Sequence, residues 1–304
     1  MRFYTVKTGK KSVDGREETT EIYTAYPGED QAYRLVDLGF SFADMNDLIL
    51  HLTAEEKERL WNRELVPAQA VPAAIDELKL CAPIEYPRQD VVCLGINYAA
   101  HEEEAGRFSK EAFSKDRPDT IYFSKRVNRA TAPGEPIPSY QGLVDSLDYE
   151  AELGVILGRD AKGVLAKDAG AYIFGYTVIN DVSARNLQTK HKQWYLGKSL
   201  DGFTPMGPCI VTADEVGNVQ ELDISCTVNG EPRQSSNTAY MLQTVGGAIA
   251  ELSAGITLQA GTIIATGTPA GVGMGMVPPC FLKPGDVITC TIEKIGSLTN
   301  VVGE

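Results

Sequence analysis

Two glutamates stand two residues apart in an otherwise apolar run, Asp148-Tyr149-Glu150-Ala151-Glu152-Leu153-Gly154-Val155-Ile156-Leu157. The run is rich in apolar and β-branched residues and stops at Gly158, which predicts a strand over 149–157. Alternation along a strand places Glu150 and Glu152 on one face, roughly 7 Å apart. Two carboxylates drawn out of water either take up a proton or hold a cation. A hard divalent ion suits them, because it prefers oxygen ligands. The plain alternative is the solvated face of an edge strand.

Further groups could complete such a site. Asp181 ends a predicted strand over 172–180 and precedes a predicted helix over 183–193, so it is a third carboxylate or an N-cap. Lys198 lies between Gly197 and Ser199 in an apolar neighbourhood, where it can reach an anionic ligand or simply sit on a surface loop. Ala265-Thr266-Gly267-Thr268-Pro269-Ala270-Gly271-Val272-Gly273 follows another predicted strand. Its glycines allow close backbone approach, although the Lys-Ser/Thr of a P-loop is missing and the segment could be a turn. In Leu94-Gly95-Ile96-Asn97-Tyr98-Ala99-Ala100-His101-Glu102-Glu103-Glu104, His101 and Glu104 are three apart and share a helical face. A carboxylate that orients an imidazole makes a general base, against the alternative of a solvated acidic helix. The polar stretch beyond it, to about residue 120, has the character of a mobile lid.

These residues need a scaffold. Strands are predicted over 91–94, 121–124, 149–157, 172–180, 209–212, 222–228, 262–265 and 286–292, and Asn229-Gly230 marks a hairpin. Helices are predicted over 183–193 and 238–253. Many short strands and few helices imply an α+β, β-rich core, antiparallel for the most part, with a rolled or barrel-like shape. Residues 1–85 differ. They carry strand-like runs at 2–6 and 21–26 and helical patterns over 42–50, running on towards Leu60 and Trp61, and over 72–80. Pro83 and Pro87 punctuate the join, so a small N-terminal α/β domain over 1–85 and a catalytic domain over 86–304, with a lid at about 98–120, are expected.

Composition narrows the function. A net charge of −13 and a pI of about 4.8 argue against nucleic-acid binding, which needs a basic stripe. No apolar run reaches membrane-span length and no signal-peptide core is present, so no membrane partner and a cytoplasmic location are expected. Cys81, Cys93, Cys209, Cys226, Cys280 and Cys290 form no CxxC pair and read as buried thiols. With only His51, His101 and His191, a histidine-rich metal site is not expected.

Taken in order, the motifs around Gly95–His101, Asp148–Leu153, Asn180–Arg185, Leu196–Ser199 and Thr266–Gly273 closely resemble the fumarylacetoacetate hydrolase family over about residues 88–302. The resemblance implies a mixed β-roll core that holds Mg²⁺ or Mn²⁺. It places Glu150, Glu152 and Asp181 on the metal carboxylates and His101 and Glu104 on a water-activating lid dyad. Lys198 and Gln188 fall on positions that contact substrate or intermediate, with Arg185 near the site and Thr268 on a substrate carboxylate. Leu94 to Ala100 contains no acid, which matches the short, three-ligand, acylpyruvase-like bacterial branch rather than the larger eukaryotic enzymes. Ser124-Lys125-Arg126 replaces a more usual Lys-Pro pair, and the segment from His101 to Phe123 is longer than in the smallest members. The implied activity is hydrolysis of a carbon–carbon bond in a small 2,4-dioxo acid by a homodimer, giving pyruvate and a carboxylic acid. Alternatives on the same site are a 2-oxo acid decarboxylase acting on oxaloacetate, a 2-hydroxyhepta-2,4-diene-1,7-dioate isomerase and a sugar-acid dehydratase or hydrolase. A silent protein that binds metal and 2-oxo acid stands outside the enzymes.

Overall fold

The computed structural model describes residues 1–11, 18–63, 70–108, 119–190 and 192–304. Much of the expected lid, residues 109–118, and His191 lie outside the described residues. The chain is strand-rich α+β, as its pattern of short strands implies, but its sheets are open rather than closed barrels.

The main sheet has ten strands in the spatial order Ala73–Ala74, Gln31–Arg34, Glu18–Ala25, Arg2–Lys11, Met206–Thr212, Ile173–Asn180, Ala151–Leu157, Ile263–Ala265, Val91–Gly95 and Ile121–Lys125. All neighbours are antiparallel except Ile263–Ala265 beside Val91–Gly95, which run parallel. A second sheet orders Glu231–Asn237, Asp223–Val228, Val287–Ile292, Gly296–Val302 and Pro136–Ile137. Across the expected boundary near residue 85 the main sheet is continuous, because Arg2 and Phe3 pair with Val211 and Ile210.

The Ala151–Leu157 strand sits inside this sheet and is buried along its whole length. Leu153, Val155 and Leu157 join the larger core, while Ile156 on the opposite face joins a second core with Phe3, Ile179 and Ile210. A strand buried on both faces reads as a continuous apolar run, and that is the pattern of its sequence. Its position rules out the solvated edge for Glu150 and Glu152. Glu150 itself precedes the strand, held where its N–H donates to Asn180 Oδ1 at 3.0 Å and its carbonyl accepts from the Asp181 N–H at 2.8 Å.

Several expected helices are shorter or absent. Residues 72–80 form the strand Ala73–Ala74 and the 3₁₀ turn Ile75–Glu77, because Ala73 and Ala74 pair with Ala32 and Gln31. Tertiary pairing here overrides local helix propensity. The 42–61 pattern is two helices, Met45–His51 and Ala54–Trp61. Asp44 caps the first, and Thr53 with Glu56 forms a capping box on the second. At 183–193, Ser183–Ala184 pairs with Leu147–Asp148, and among the described residues the helix covers Arg185–Lys190. Residues 238–253 divide into the 3₁₀ turn Thr238–Tyr240 and the helix Val245–Gly255, which starts at the Thr244 cap.

Leu157→Ala should lower the unfolding free energy by about 2–5 kcal/mol. Thr53→Ala should cost only about 1 kcal/mol. Urea denaturation of both variants checks this ordering, and a smaller loss at Leu157 would refute the central strand as the heart of the core.

Candidate active site and metal centre

The end of the central strand, the end of Ile173–Asn180 and the helical turn Tyr195–Lys198 converge on one buried cluster. Ligand oxygens of Glu150, Glu152 and Asp181 all lie within 4.8 Å of one another. Lys198 Nζ stands 2.7 Å from Glu150 Oε2 and 2.6 Å from Asp181 Oδ2. Lys125, from the Ile121–Lys125 strand, donates to Asp181 Oδ1 at 2.5 Å and to the Val182 carbonyl at 3.1 Å. The described partners of the Asp181 carboxylate are therefore ammonium groups, and it does not act as the N-cap that its position also allowed.

The charges are compensated unevenly. Burial opposes ionisation of Glu150, yet Lys198 and Arg185 outweigh it and hold the carboxyl well below its usual range. Glu152 moves the other way. Burial, then Asp181 and Glu150, push its carboxyl well above the usual range. Its carboxylate accepts from a neutral donor, the Gly267 N–H, at 2.8 Å. Burial also opposes the charge of Lys198, but Asp181 and Glu150 overcompensate and raise its pKa. For Lys125 burial prevails and lowers it. Three clustered oxygen donors, one short of positive charge, fit a hard divalent cation, which favours the ionised form of Glu152.

The dyad lies on the helix Ala99–Phe108, with His101 Nδ1 3.2 Å from Glu104 Oε2 and both side chains buried. The base of this helix is anchored by Asn97. Its side chain donates to the Thr266 and Gln243 carbonyls at 2.8 and 2.9 Å and accepts from the Gln243 N–H at 2.7 Å. His101, Glu150, Glu152, Arg185, Gln188, Lys198 and Thr268 line one cavity. Of the nine expected site residues, Asp181 and Glu104 stand one bond behind that wall, on Lys198 and His101.

Arg185 donates to Asp148 Oδ2 at 2.9 Å, to Gln188 Oε1 at 3.0 Å and to Glu150 Oε1 at 2.7 Å. Its buried Nη2 has no hydrogen-bond partner among the described residues. The Thr268 hydroxyl is engaged in the fold: it donates to the Ala151 carbonyl at 2.9 Å and accepts from Gln234 Nε2 at 2.7 Å. Sequence reasoning assigned nothing to Lys125, Asp148, Phe123 or Trp194. Phe123 and Trp194 meet edge to face at 5.2 Å on the cavity wall, and Lys198 Nζ lies 5.5 Å from the Phe123 ring centre. Asp148 stood in the glutamate motif, and its burial in an apolar run was the available signal.

Residues 90–303 match the family described as fumarylacetoacetate (FAA) hydrolase, C-terminal. The chain belongs to the fumarylacetoacetate hydrolase family. Oxaloacetate tautomerase YisK of Bacillus subtilis is 42% identical over 230 residues, covering 76% of this chain and 75% of that protein. Among solved structures, a fumarylacetoacetate hydrolase from psychrophilic Exiguobacterium antarcticum is 35% identical, with a TM-score of 0.82 over 100% of this chain and 99% of that one. The 2-hydroxyhepta-2,4-diene-1,7-dioate isomerase of Mycobacterium marinum is 29% identical, with a TM-score of 0.69 over 100% and 98%. Fumarylacetoacetate hydrolase relatives thus include a tautomerase, a hydrolase and an isomerase, and the shared enzyme family is what these likenesses establish. No helix among the described residues is long and apolar enough to cross a membrane.

Glu150→Gln should weaken Mn²⁺ binding by about 100-fold or more, since even groups behind metal ligands are worth 10–100-fold. Titration calorimetry measures it, and unchanged affinity would overturn the ligand assignment.

Proposed function

We propose that this chain is a divalent-metal-dependent enzyme that enolises a small 2-oxo acid, with keto–enol tautomerisation of oxaloacetate as its leading reaction. One observation carries the reading. The Nη2 donor of Arg185 is buried and unpartnered on a residue that lines the same cavity as His101 and the carboxylate cluster. A buried guanidinium donor left unpaired is costly, and an anionic oxygen of a substrate satisfies it. The 42% identity to a named oxaloacetate tautomerase supports the choice of substrate. The Phe123 and Trp194 rings form an aromatic wall on one side of this cavity.

Glu150, Glu152 and Asp181 would hold Mg²⁺ or Mn²⁺, which supplies Lewis acidity towards the 2-oxo acid. Arg185 and Gln188 bind a carboxylate of the substrate and orient it. Glu104 holds Nδ1 of His101, which leaves Nε2 to take the proton from C3 of the keto acid and deliver it to the 2-oxygen. Lys198, kept cationic by Glu150 and Asp181, stabilises the negative charge that builds on the substrate oxygen. Thr268 closes one side of the cavity. The boundary near residue 85 belongs to this proposal, since every site residue follows it and the family match starts at residue 90. A cytoplasmic homodimer is proposed with it.

The second reading is hydrolysis of the carbon–carbon bond of a 2,4-dioxo acid such as an acylpyruvate or fumarylpyruvate. The His101–Glu104 pair favours it, because the same base can activate water. The two separate in one experiment. Purified protein with Mg²⁺ is given oxaloacetate, with its enol absorbance followed, and separately acetylpyruvate. Faster enol decay without pyruvate or carbon dioxide, abolished by a chelator, is expected. Pyruvate and acetate from acetylpyruvate, with oxaloacetate untouched, would transfer the assignment to hydrolysis. Carbon dioxide from oxaloacetate would make it a decarboxylase, and inertness to both would leave a binding protein. His101→Ala should slow the reaction by about 10²–10⁴-fold; unchanged turnover would remove the histidine as the base.

A further inference from the structure

Between the dyad helix and the carboxylate cluster runs the segment 271–275, which the chemistry above does not use. Both oxygens of Glu104 accept from the Gly271 N–H at 3.1 Å. Two residues on, the Gly273 N–H donates to Asp148 Oδ1 at 2.7 Å and the Met274 N–H to Asp148 Oδ2 at 3.0 Å. Asp148 is fully buried and pairs with Arg185, whose Nη1 reaches Glu150. A chain of charged hydrogen bonds, closed by this backbone segment, therefore connects Glu150 to Glu104. The backbone N–H groups of this glycine-rich stretch hold anions of its own chain, the carboxylates of Glu104 and Asp148.

Side-chain size decides whether this arrangement can exist. A Cβ on residue 273 would stand 2.7 Å from Asp148 Oδ1 and collide with the Cys280 carbonyl. A Cβ on residue 275 would overlap the Glu104 side chain outright. Gly275 thus sets how closely the 271–275 segment seats against the acid that orients His101.

We propose that Gly275, with Asp148 behind the same segment, is a positioning residue. The segment it belongs to fixes Glu104, and through it His101, relative to the metal carboxylates. The proposal rests on the reading of His101 and Glu104 as the base. Neither Gly275 nor Asp148 lines the cavity, so their action is through Glu104 and Arg185.

The test compares wild type, G275A, E104A and the G275A/E104A double variant. In G275A, kcat should fall about 100-fold, the scale of an ångström-sized misplacement of a reacting group. KM and the Mn²⁺ dissociation constant should stay within about twofold, the split expected when only the reacting group moves. Hydrogen exchange in the Ala99–Phe108 helix should speed up. The double variant should be no slower than E104A and should melt above G275A, because truncating Glu104 makes room for the added methyl; the same relief restores folding if G275A alone does not fold. Wild-type exchange in G275A, a double variant whose losses multiply, or a double variant that melts below G275A would each overturn the proposal. Exchange and melting need no substrate. They decide the matter even if the enzyme turns over neither oxaloacetate nor acetylpyruvate, so a wrong activity and a wrong positioning role give different results.

Discussion

Everything in this molecule is arranged around carboxylates that have been taken out of water. Asp148, Glu150, Glu152 and Asp181 are all buried, and Lys125, Lys198 and Arg185 are buried with them. Removing one partner of a buried ion pair typically costs about 3–5 kcal/mol, because the other charge is left stranded. The cations are shared: Lys198 serves Glu150 and Asp181, and Arg185 serves Asp148 and Glu150. Such sharing ties the orientation of each acid to the next and leaves Glu152, where burial and the neighbouring acids outweigh Lys198, as the least compensated acid. The shared cations fix Glu150 and Asp181 beside Glu152, and fixed oxygen donors are what selective binding of a small divalent ion asks for.

The double-sided core makes this possible. Apolar clusters on both faces of the Ala151–Leu157 strand keep water from its acidic end, and its neighbours clamp both sides of it. Gln234 reaches across from the second sheet, accepting from the Ala151 N–H at 3.0 Å and donating to Thr268. The main chain between the two glutamates is therefore held by a side chain from another layer.

The residues that carry the proposed chemistry were visible because each lies in a short local pattern. Glu150 and Glu152 share a strand face, His101 and Glu104 a helix face, and Asp181 ends a strand. Their company was not visible, because it depends on pairings between distant segments. Lys125 looks like a strand-end lysine until the sheet brings it to Asp181, and Trp194 looks like a loop aromatic until it meets Phe123. The same reason explains the helix expected over 72–80. Its periodicity is real, but an available strand at Gln31–Arg34 claims its backbone. The strand 231–237 is signalled only by the Asn229-Gly230 turn before it, because its own residues are mostly polar, and in 296–302 the apolar residues Leu298, Val301 and Val302 do not alternate strictly.

The short parallel pairing of Val91–Gly95 with Ile263–Ala265 has a consequence for how the protein is made. Each of its strands leads into half of the site: Asn97, His101 and Glu104 follow one, and Gly267, Thr268 and the 271–275 segment follow the other. Contacts between segments so far apart in sequence form slowly, since the loop must close before they are rewarded. On the ribosome, the three acids emerge well before the Gly267 N–H that receives Glu152. The site is therefore complete only when roughly the last 40 of the 304 residues have been made, in keeping with N-terminal-first synthesis.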